Sequence, residues 1–301
     1  MRDHSSEAPI LVPKHVYDAV VHNQSTFFEE LSGVDRFQYA ADLLSETKAH
    51  QQAALLERYT QLNGAHVLEI GAGLAMNLLV WHKRYGADAT GIEPDSVGFD
   101  ASFKLGRVLL KANGLDPDRI INAVGERLPF EDGQFDIVYS TNVLEHTDRP
   151  IAVLDEALRV LRPGGTLQFV YPSFGSYFDG HYGVFHPPVL WRGFFPWYVH
   201  RIWGRDPSFA RTLRTELNVG WTRRALRTLS AKHRFEILGL GEDVFRERVV
   251  SLDFGTWGNL GRIRRVLRFV AHKRMREALA LLIVVLRGWS PIIVTLHKLP
   301  E

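Results

Sequence analysis

Short apolar runs recur along the chain, and turn-forming residues border each of them. These runs predict seven β-strands, at 66–70, 89–93, 119–124, 135–140, 166–171, 235–242 and 292–298. Stretches of helical length lie between the first two runs and over roughly 96–112 and 148–161. Apolar strands that alternate with helices are typical of parallel strands covered on both faces. The pattern therefore predicts an α/β fold, Rossmann-like, with helices on both faces of the sheet.

Two segments interrupt this alternation. Residues 172–221 are rich in aromatic side chains and proline, and residues 243–290 are first basic and then apolar. Residues 1–62 precede the first strand and have a helical pattern. Because internal repeats and low-complexity linkers are absent from the sequence, we expect a helical N-terminal extension or lid (1–62) on one α/β domain (63–301) with two insertions.

Composition and charge narrow the class of protein. The 301 residues are 46% hydrophobic, carry a formal net charge of +2 and include no cysteine, which excludes disulfides and thiolate metal sites. The N-terminus lacks the apolar core of a signal peptide. The longest apolar run, Ala278–Leu286, has nine residues, whereas a membrane-spanning helix needs about 20. We therefore expect a cytoplasmic protein.

The segment 262–287 combines basic and apolar residues. Lysine and arginine alternate with apolar positions over Arg262–Arg276 at roughly helical spacing, and an apolar stretch follows. A basic amphipathic helix can lie on an anionic membrane surface, so this segment is a candidate for peripheral membrane contact. The alternative is a surface helix that covers the sheet. Nucleic acid is not expected as a partner, because no aromatic stacking positions are interleaved with the charges.

A glycine-rich turn follows the first predicted strand, in the stretch "VLEIGAGLAMN" of residues 67–77. A dinucleotide-binding turn needs glycine at its first, third and sixth positions to approach a pyrophosphate. Here the sixth position is Met76, which argues against an NAD-dependent oxidoreductase. Glu69 precedes the turn, where a carboxylate suits a ligand with a sulfonium better than a diphosphate. Glu93 ends the next strand, from which a carboxylate accepts both hydroxyls of a ribose. The turn and Glu93 together indicate S-adenosylmethionine (SAM).

With these residues, the sequence resembles the class I SAM-dependent methyltransferases, in the subgroup that includes ubiquinone-biosynthesis enzymes. The matching stretches are "VLEIGAG", "GIEPD", "GERLPFEDGQFDIVYSTNVLEHTDRP" and "LRPGGTLQF", in the order and at the spacing of the family. The resemblance implies a seven-stranded sheet in which six strands are parallel and the last is antiparallel. It also implies that SAM is the cofactor.

The resemblance further implies which residues hold SAM. It assigns the methionine end to Glu69, Gly71 and Gly73 and the ribose to Glu93. The remaining cofactor-binding candidates are Glu126 and Leu128, which would flank the adenine, and Ser140. Many relatives have an aspartate where this chain has Val124, so we expect backbone groups and apolar contacts to hold the adenine.

Polar residues after the fourth and fifth strands are the candidates for handling the methyl acceptor. Ligands in open α/β sheets bind at the carboxyl ends of the strands, which points to Asn142, His146 and His181 as catalytic residues. An unperturbed histidine pKa near 6.5 suits removal of a proton near neutral pH. His186 lies in the same aromatic loop as His181 and is a weaker candidate.

Glu145 and His146 raise the question of a metal. Some relatives use an acid, two further residues and an acid–histidine pair at this place to bind a divalent cation, but the first acid is Asn142 here. We therefore predict no metal and expect the pair to pack at a helix start. The alternative is a site in which His181 completes the ligand set of Glu145 and His146.

The sequence thus predicts a methyltransferase that transfers a methyl group in line to the oxygen of a small-molecule, saccharide or lipid-linked acceptor. The alternative is a catalytically inert SAM-binding module that supports a partner protein. The sequence leaves the acceptor and the oligomeric state open.

Overall fold

A computed structural model describes residues 9–95, 101–188, 191, 193–253 and 273–300 of the chain. Its central feature is a seven-stranded sheet with the strand order β3-β2-β1-β4-β5-β9-β8. The strands of this sheet are β1 (His66–Ile70), β2 (Asp88–Ile92), β3 (Ile120–Ile121), β4 (Phe135–Thr141), β5 (Leu161–Tyr171), β8 (Phe235–Gly239) and β9 (Ile292–Lys298). A separate hairpin pairs β6 (Phe178–Asp179) with β7 (Val184–Phe185).

The sheet has the strand directions that the family resemblance implies. Neighbouring strands from β3 to β5 pair in parallel, and β9 is antiparallel to both β5 and β8. Six strands therefore run one way and the last in the chain runs the other. The bounds of β1 and β9 are as predicted, but β3 has only two residues where 119–124 was expected. This strand lies at an edge and has β2 as its single neighbour, and Asn122 beyond it accepts a hydrogen bond from the Asp95 N–H instead.

Helices cover both faces of the sheet. The helices before β1 and up to β5 are α1 (Lys14–Val20), α2 (Thr26–Ser32), α3 (Arg36–Leu43), α4 (Glu46–Leu56), α5 (Met76–Tyr85), α6 (Ser102–Ala112) and α7 (Pro150–Val160). Those after β5 are α8 (Phe194–Trp203), α9 (Ser208–Thr212), α10 (Val219–Leu229), α11 (Glu242–Ser251) and α12 (Lys273–Val285). None of the helices within the described residues is long and apolar enough to cross a bilayer.

Two apolar cores lie on opposite faces of the sheet. One joins the sheet to α7 and α10 and to the residues after β5, and the other joins it to the N-terminal helices, α5 and α6. The sequence of α10 explains its orientation, since Thr222, Ala225, Leu226 and Leu229 are buried at helical spacing while its arginines face outward. Helices α1, α3 and α4 thus pack on the face that α5 covers, while Leu31 of α2 belongs to the other core.

The carboxyl ends of the parallel strands meet at one edge of the sheet. The N-terminal helices α2 to α4, the β6–β7 hairpin and α11 surround this edge. The hairpin belongs to the predicted insertion 172–221, and α11 and α12 belong to 243–290. Of the basic segment 262–287, residues 262–272 lie outside the described residues.

Candidate functional site

A cavity of about 2000 Å³ opens at the carboxyl edge of the sheet. Residues that follow β1, β2, β4 and β5 line it from the sheet side, and α2, α3, α4 and α11 line it from above. This is the place where open α/β sheets bind their ligands. The cavity contains most of the residues that the sequence singled out.

The glycine turn after β1 forms one wall of the cavity. Gly71 has a φ of +76°, and a Cβ atom there would lie 2.1 Å from Cγ2 of Val143. Only glycine fits this position, because both the left-handed backbone and the close neighbour exclude a side chain. The N–H groups of Gly71 and Ala72 donate to the Ile92 carbonyl, which ties the turn to the end of β2. The turn therefore presents backbone, not side chains, to the cavity.

Glu69 lies behind this turn in the core. Its Oε1 accepts a hydrogen bond from Asn77 Nδ2 at 2.5 Å, and its Oε2 is buried with no hydrogen-bond partner among the described residues. Burial raises the pKa of Glu69 to about 8, and the nearby charge of Glu93 adds to the effect. Glu69 does not itself line the cavity, so its contact with a ligand on the turn stays a prediction.

Glu93 lines the cavity at the end of β2. Its Oε2 accepts a hydrogen bond from the Gly73 N–H at 3.0 Å. Burial raises the pKa of Glu93, and this hydrogen bond lowers it by less. This hydrogen bond holds the Glu93 carboxylate beside the glycine turn. A single ligand could therefore contact the carboxylate and the turn together.

Residues 124–126 form the wall next to Glu93. Val124, Gly125 and Glu126 line the cavity, and Val124 is 49% exposed. Glu126 Oε1 accepts from the backbone N–H groups of Asp148, at 3.0 Å, and Arg149, at 3.3 Å. The wall is therefore apolar and backbone-lined, and Glu126 anchors it to the loop that leads into α7.

Leu128 and Ser140 do not line the cavity. The Leu128 side chain is buried in the core, while its N–H donates to Glu156 Oε2. The Ser140 hydroxyl is buried and donates to the Ile70 carbonyl at 2.9 Å. Both side chains are buried, and a role for either residue at the cofactor stays a prediction.

Asn142 follows β4 and lines the cavity. It has a φ of +53°, a left-handed conformation that asparagine adopts more readily than most residues. Its N–H donates to the Val170 carbonyl at 2.8 Å, which holds the ends of β4 and β5 together. The backbone at Asn142 thus aims the following residues across the mouth of the parallel strands.

The β6–β7 hairpin brings His181 to the far wall of the cavity. Asp179 Oδ2 lies 3.0 Å from His181 Nδ1, and Asp179 Oδ1 accepts the N–H of Tyr182 at 2.8 Å. Burial raises the pKa of Asp179, but His181 and these hydrogen bonds lower it more, so the carboxylate is ionised. An ionised Asp179 only accepts, so Nδ1 carries the proton and Nε2 is the free nitrogen of a neutral His181.

Glu145 lies below both cavity histidines. Its Oε1 is 3.8 Å from His181 Nε2 and 3.9 Å from His146 Nε2. The side chain is fully buried, and neither carboxylate oxygen has a hydrogen-bond partner among the described residues. Burial raises the pKa of Glu145 to about 7, with His181 lowering it in part. The two histidines therefore face a carboxylate that lacks ordinary hydrogen-bond donors.

The two histidines differ in charge. Burial and the neighbouring His181 lower the pKa of His146 to about 3, so this ring is neutral. Burial also lowers the pKa of His181, but Asp179 and Glu145 raise it more, and the net pKa lies above its usual value. His181 is therefore the stronger proton acceptor of the pair.

Glu145, His146 and His181 also form a candidate metal cluster. One ligand-type atom of each lies within 4.8 Å of the others, and within the described part of the chain no other group of histidines and acids does so. Two imidazoles and one carboxylate make a set that Zn²⁺ uses in enzymes, and a histidine whose other nitrogen donates to a carboxylate is common in such sites. The geometry therefore allows His181 to act either as a proton acceptor or as a ligand of a cation.

Three residues that the sequence analysis did not select build this end of the cavity. Asp179 orients His181, and Arg214 donates to the Thr147 carbonyl and to Asp148, both at 2.6 Å. The Phe209 ring lies 5.6 Å from the ring of His181 and 5.8 Å from that of His146. The spacing Asp-Gly-His was visible in the sequence, but nothing there indicates that a hairpin places it over the end of β4.

The residues present fit SAM. The glycine turn leaves room that a Cβ would fill, Glu69 offers a buried oxygen that lacks a donor, and Glu93 lies in the cavity beside the turn. Together they supply a backbone cradle, an acceptor for an ammonium group and an acceptor for hydroxyls. The apolar wall at 124–125 suits a flat ring.

Comparison with known proteins supports this assignment. A family profile described as a methyltransferase domain matches residues 68–169. An uncharacterized methyltransferase of Mycobacterium sp. (strain JLS) is 33% identical over 159 residues, which cover 52% of this chain and 58% of that protein. An uncharacterized protein of Mycobacterium tuberculosis is 29% identical over 147 residues, or 49% of this chain and 46% of the other. The chain thus matches about half the length of these curated relatives.

Solved structures share the fold. An S-adenosylmethionine-dependent methyltransferase from Mesorhizobium loti aligns with a TM-score of 0.51 at 16% identity, over 84% of this chain and all of the other. Geranyl diphosphate C-methyltransferase from Streptomyces coelicolor A3(2) aligns with a TM-score of 0.51 at 14% identity, over 84% of this chain and 79% of the other. At such identities the likeness shows the fold alone. The ubiquinone-biosynthesis subgroup stays a prediction. Residues 68–169 form a methyltransferase domain with SAM as its cofactor, and the strand order of the sheet agrees with the class I fold that the sequence resembles.

Proposed function

We propose that the protein transfers a methyl group from SAM to a hydroxyl of its acceptor. The observation that carries this proposal is the composition of one cavity. The glycine turn and Glu93 line it on the side of β1 and β2, and His181, oriented by Asp179, lines it beyond β4. A cofactor cradle and a proton acceptor that share a cavity are what transfer to oxygen requires.

SAM supplies a methyl group on a sulfonium: the methyl carbon–sulfur bond breaks as the new bond to the acceptor oxygen forms, and the neutral thioether S-adenosylhomocysteine leaves. In this proposal Glu93 accepts the ribose hydroxyls, and the backbone of Gly71 and Gly73 holds the methionine end. Glu69 lies behind the turn, where its unpartnered Oε2 suits the ammonium group. The apolar surface at Val124 and Gly125 accommodates the adenine, with Glu126 holding this wall in place.

His181 acts on the acceptor. With its Nδ1 proton donated to Asp179, its Nε2 takes the proton of the acceptor hydroxyl as that oxygen attacks the methyl carbon. Asp179 and the buried carboxylate of Glu145 then stabilise the imidazolium, since both raise the pKa of His181. Asn142 and the neutral His146 line the same cavity and orient the acceptor.

The size of the cavity supports a large acceptor. Small-molecule pockets commonly enclose roughly 300–1,000 Å³, and this cavity measures about 2000 Å³. Room for a saccharide or a lipid-linked molecule remains beside the cofactor. Helices α2 to α4 form the outer wall, so the segment 1–62 serves as the lid in this proposal.

The exposed side of α12 supports contact with a membrane surface. Leu281, Leu282, Val285 and Leu286 are each more than half exposed, although they are apolar. Arg274 and Arg287 near the ends of the helix are exposed as well. An apolar stripe flanked by cations is typical of a helix that lies on anionic lipid, so the protein in this proposal meets lipid-linked acceptors at the membrane.

The test is transfer of a labelled methyl group from SAM to a panel of hydroxylated saccharides, lipids and phenols. We expect label in at least one class. The His181→Ala variant should then lower kcat without weakening SAM binding, because the side chain acts on the acceptor. A loss of SAM affinity with turnover per bound SAM intact would place His181 at the cofactor instead. Tight SAM binding with no transfer to any class would favour the inert binding module.

A further inference from the structure

One face of α4 is turned toward the cavity. Lys48, Gln51, Gln52 and Leu55 line it at the spacing of a single helix face. The Lys48 ammonium lies 6.0 Å from the centroid of the Tyr39 ring. Among the described residues it has neither a hydrogen bond nor a carboxylate at ion-pair distance, and Asp42 attracts it only from farther away.

This ammonium is in an unfavourable place for a cation. The residue is half-buried, and burial lowers the pKa of Lys48 despite the attraction of Asp42. A charge removed from water without a partner destabilises the folded protein. Such a group is retained where a ligand supplies the missing counter-charge.

A second unsatisfied group lies one turn along the same face. Gln52 Oε1 is buried and has no hydrogen-bond partner among the described residues. The helix therefore presents a donor and an acceptor to the cavity, four residues apart. A ligand group that carries both an anionic oxygen and a hydroxyl would satisfy them together.

A second cation lines the cavity from α11. Arg248 lies there with Phe245 and Val249 on one helix face, and burial lowers the pKa of Arg248 to about 10, so it stays protonated near neutrality. Lys48 and Arg248 are the lysine and arginine residues among the described cavity-lining residues. Arg58, two residues after the end of α4, pairs with Glu247 of α11 at 2.6 Å, and neither residue lines the cavity.

Arg248 lies away from the cofactor end. Helix α11 follows β8, at the edge of the sheet farthest from β3, and four strands separate β8 from the β2 strand that leads to Glu93. Phe245, Arg248 and Val249 share their part of the wall with Ser290 and Pro291, which precede β9. The region around Arg248 is therefore available to the acceptor, and Lys48 lines the same cavity.

We propose that Lys48, Gln52 and Arg248 form a subsite for an oxyanion of the methyl acceptor, a carboxylate or a phosphate. Lys48 supplies the central charge, Arg248 the second cation, and Gln52 Oε1 accepts from a hydroxyl of the same ligand. The assignment of the oxyanion to the acceptor rests on the proposed function, whereas the anion site itself does not. The acceptor class becomes an anionic hydroxy compound, either free or as the head group of a lipid.

The test uses S-adenosylhomocysteine-loaded protein and inorganic phosphate as the probe. Thermal unfolding is followed over a phosphate series, with sodium chloride keeping the ionic strength constant. We expect phosphate to stabilise the wild-type protein with a saturable dependence, and the Lys48→Met variant to need at least about tenfold more phosphate. Lys48→Arg should retain the effect. The matched control is Lys232→Met, since Lys232 is 67% exposed and pairs with Asp155 away from the cavity.

Two further arms separate the sources of the oxyanion. Vesicles of phosphatidic acid in phosphatidylcholine should compete with phosphate if a lipid head group enters the subsite, and should leave the phosphate curve unchanged if the ligand is a soluble anion.

Affinity for S-adenosylhomocysteine should be equal in wild-type and Lys48→Met protein, which also shows that the variant folds. Weaker cofactor binding in the variant would place Lys48 at the methionine carboxylate and overturn the proposal. Equal phosphate curves for wild-type and Lys48→Met protein would overturn it too. If Lys48→Met does not fold, Gln52→Leu must weaken phosphate binding, or the subsite is wrong.

Discussion

Asp179 Oδ2 accepts the Nδ1 proton of His181 at 3.0 Å, and this pair sets the charge of a histidine that lines the cavity. The carboxylate has two effects. It fixes the tautomer in which Nε2 is free, and it raises the pKa of His181 above its usual value, against the effect of burial. Because its pKa is raised, His181 accepts a proton on Nε2 readily, but it must release that proton before the next turnover.

The pair predicts a pH dependence. His181 acts when neutral, so kcat should rise with pH through a pKa that lies above the usual histidine value. In Asp179→Asn the charge that raises this pKa is gone, so the rise should move to lower pH while the maximum rate falls by about 10²-fold or more. The control is Asp132→Asn, since Asp132 is exposed and pairs with Arg159 away from the cavity. A pH profile of Asp179→Asn that matches the wild type in position would contradict this role.

We expect Glu69 to lower the stability of the ligand-free protein and to strengthen the binding of SAM. Because burial raises its folded-state pKa to about 8, above that of the unfolded chain, Glu69 destabilises the ligand-free protein increasingly as pH rises from the unfolded pKa toward 8. Glu69→Gln keeps an oxygen for Asn77 and removes the charge. One pKa unit corresponds to about 1.4 kcal/mol, so the free energy of unfolding at pH 8 should increase on the order of 1–4 kcal/mol.

The same variant should bind SAM more weakly, because the ammonium group loses its carboxylate. Urea unfolding at pH 5 and pH 8 and calorimetric titration with SAM measure the two effects. A variant that is no more stable than wild type at pH 8 would show that Glu69 is not strained in the free protein. Unchanged affinity for SAM would remove Glu69 from the cofactor site.

The cluster of Glu145, His146 and His181 predicts a response to chelators. If His181 is the proton acceptor, protein freed of metal by chelation should keep its methyl-transfer activity, and Glu145→Gln should only shift the pH profile to lower pH. If the cluster is instead a zinc site of two histidines and a glutamate, chelation should abolish activity and one added metal should restore it. Activity after dialysis against a chelator, with and without Zn²⁺, Mg²⁺ or Mn²⁺, decides between the two.

The exposed side of α12 predicts binding to anionic vesicles. Wild-type protein should co-sediment with phosphatidylglycerol-containing vesicles and much less with pure phosphatidylcholine. The double variant Leu282→Glu/Val285→Glu should lose this binding without losing stability, because both side chains are more than half exposed. Ile151→Glu, on the surface of α7, is the matched control. Equal co-sedimentation of the double variant and this control would show that α12 does not meet the membrane.

The sequence predicts the strands well where local pattern decides the structure. The runs at His66–Ile70 and Ile292–Lys298 become strands with the predicted bounds, because each is a compact apolar segment between turn residues. The Gly71 turn and Glu93 could also be located from the sequence. Glycine marks a position where the backbone must lie close to a neighbour, and Glu93 stands at the end of a predicted strand. For Leu128 and Ser140 the sequence gives the position along the chain but not the direction of the side chain. Both side chains are buried, and their role at the cofactor stays a prediction.

The acceptor end depends on contacts between distant segments. Asp179 and His181 reach Glu145 only because the β6–β7 hairpin folds back over β4. Lys48 and Arg248 line one cavity although 200 residues separate them along the chain. No periodicity or spacing in the sequence predicts either of these two arrangements. The sequence could therefore identify candidate histidines but not the residues that contact them.

The most direct test of the account is calorimetric titration of S-adenosylhomocysteine into wild-type and Glu93→Ala protein, with NAD as the negative control. Glu93 lines the cavity and contacts the Gly73 N–H, and in this account it also accepts both ribose hydroxyls. Each charge-assisted hydrogen bond contributes roughly 1.5–3 kcal/mol, so the variant should bind at least about tenfold more weakly. Wild-type protein should bind S-adenosylhomocysteine and ignore NAD. Equal affinity of folded wild-type and Glu93→Ala protein would contradict the account.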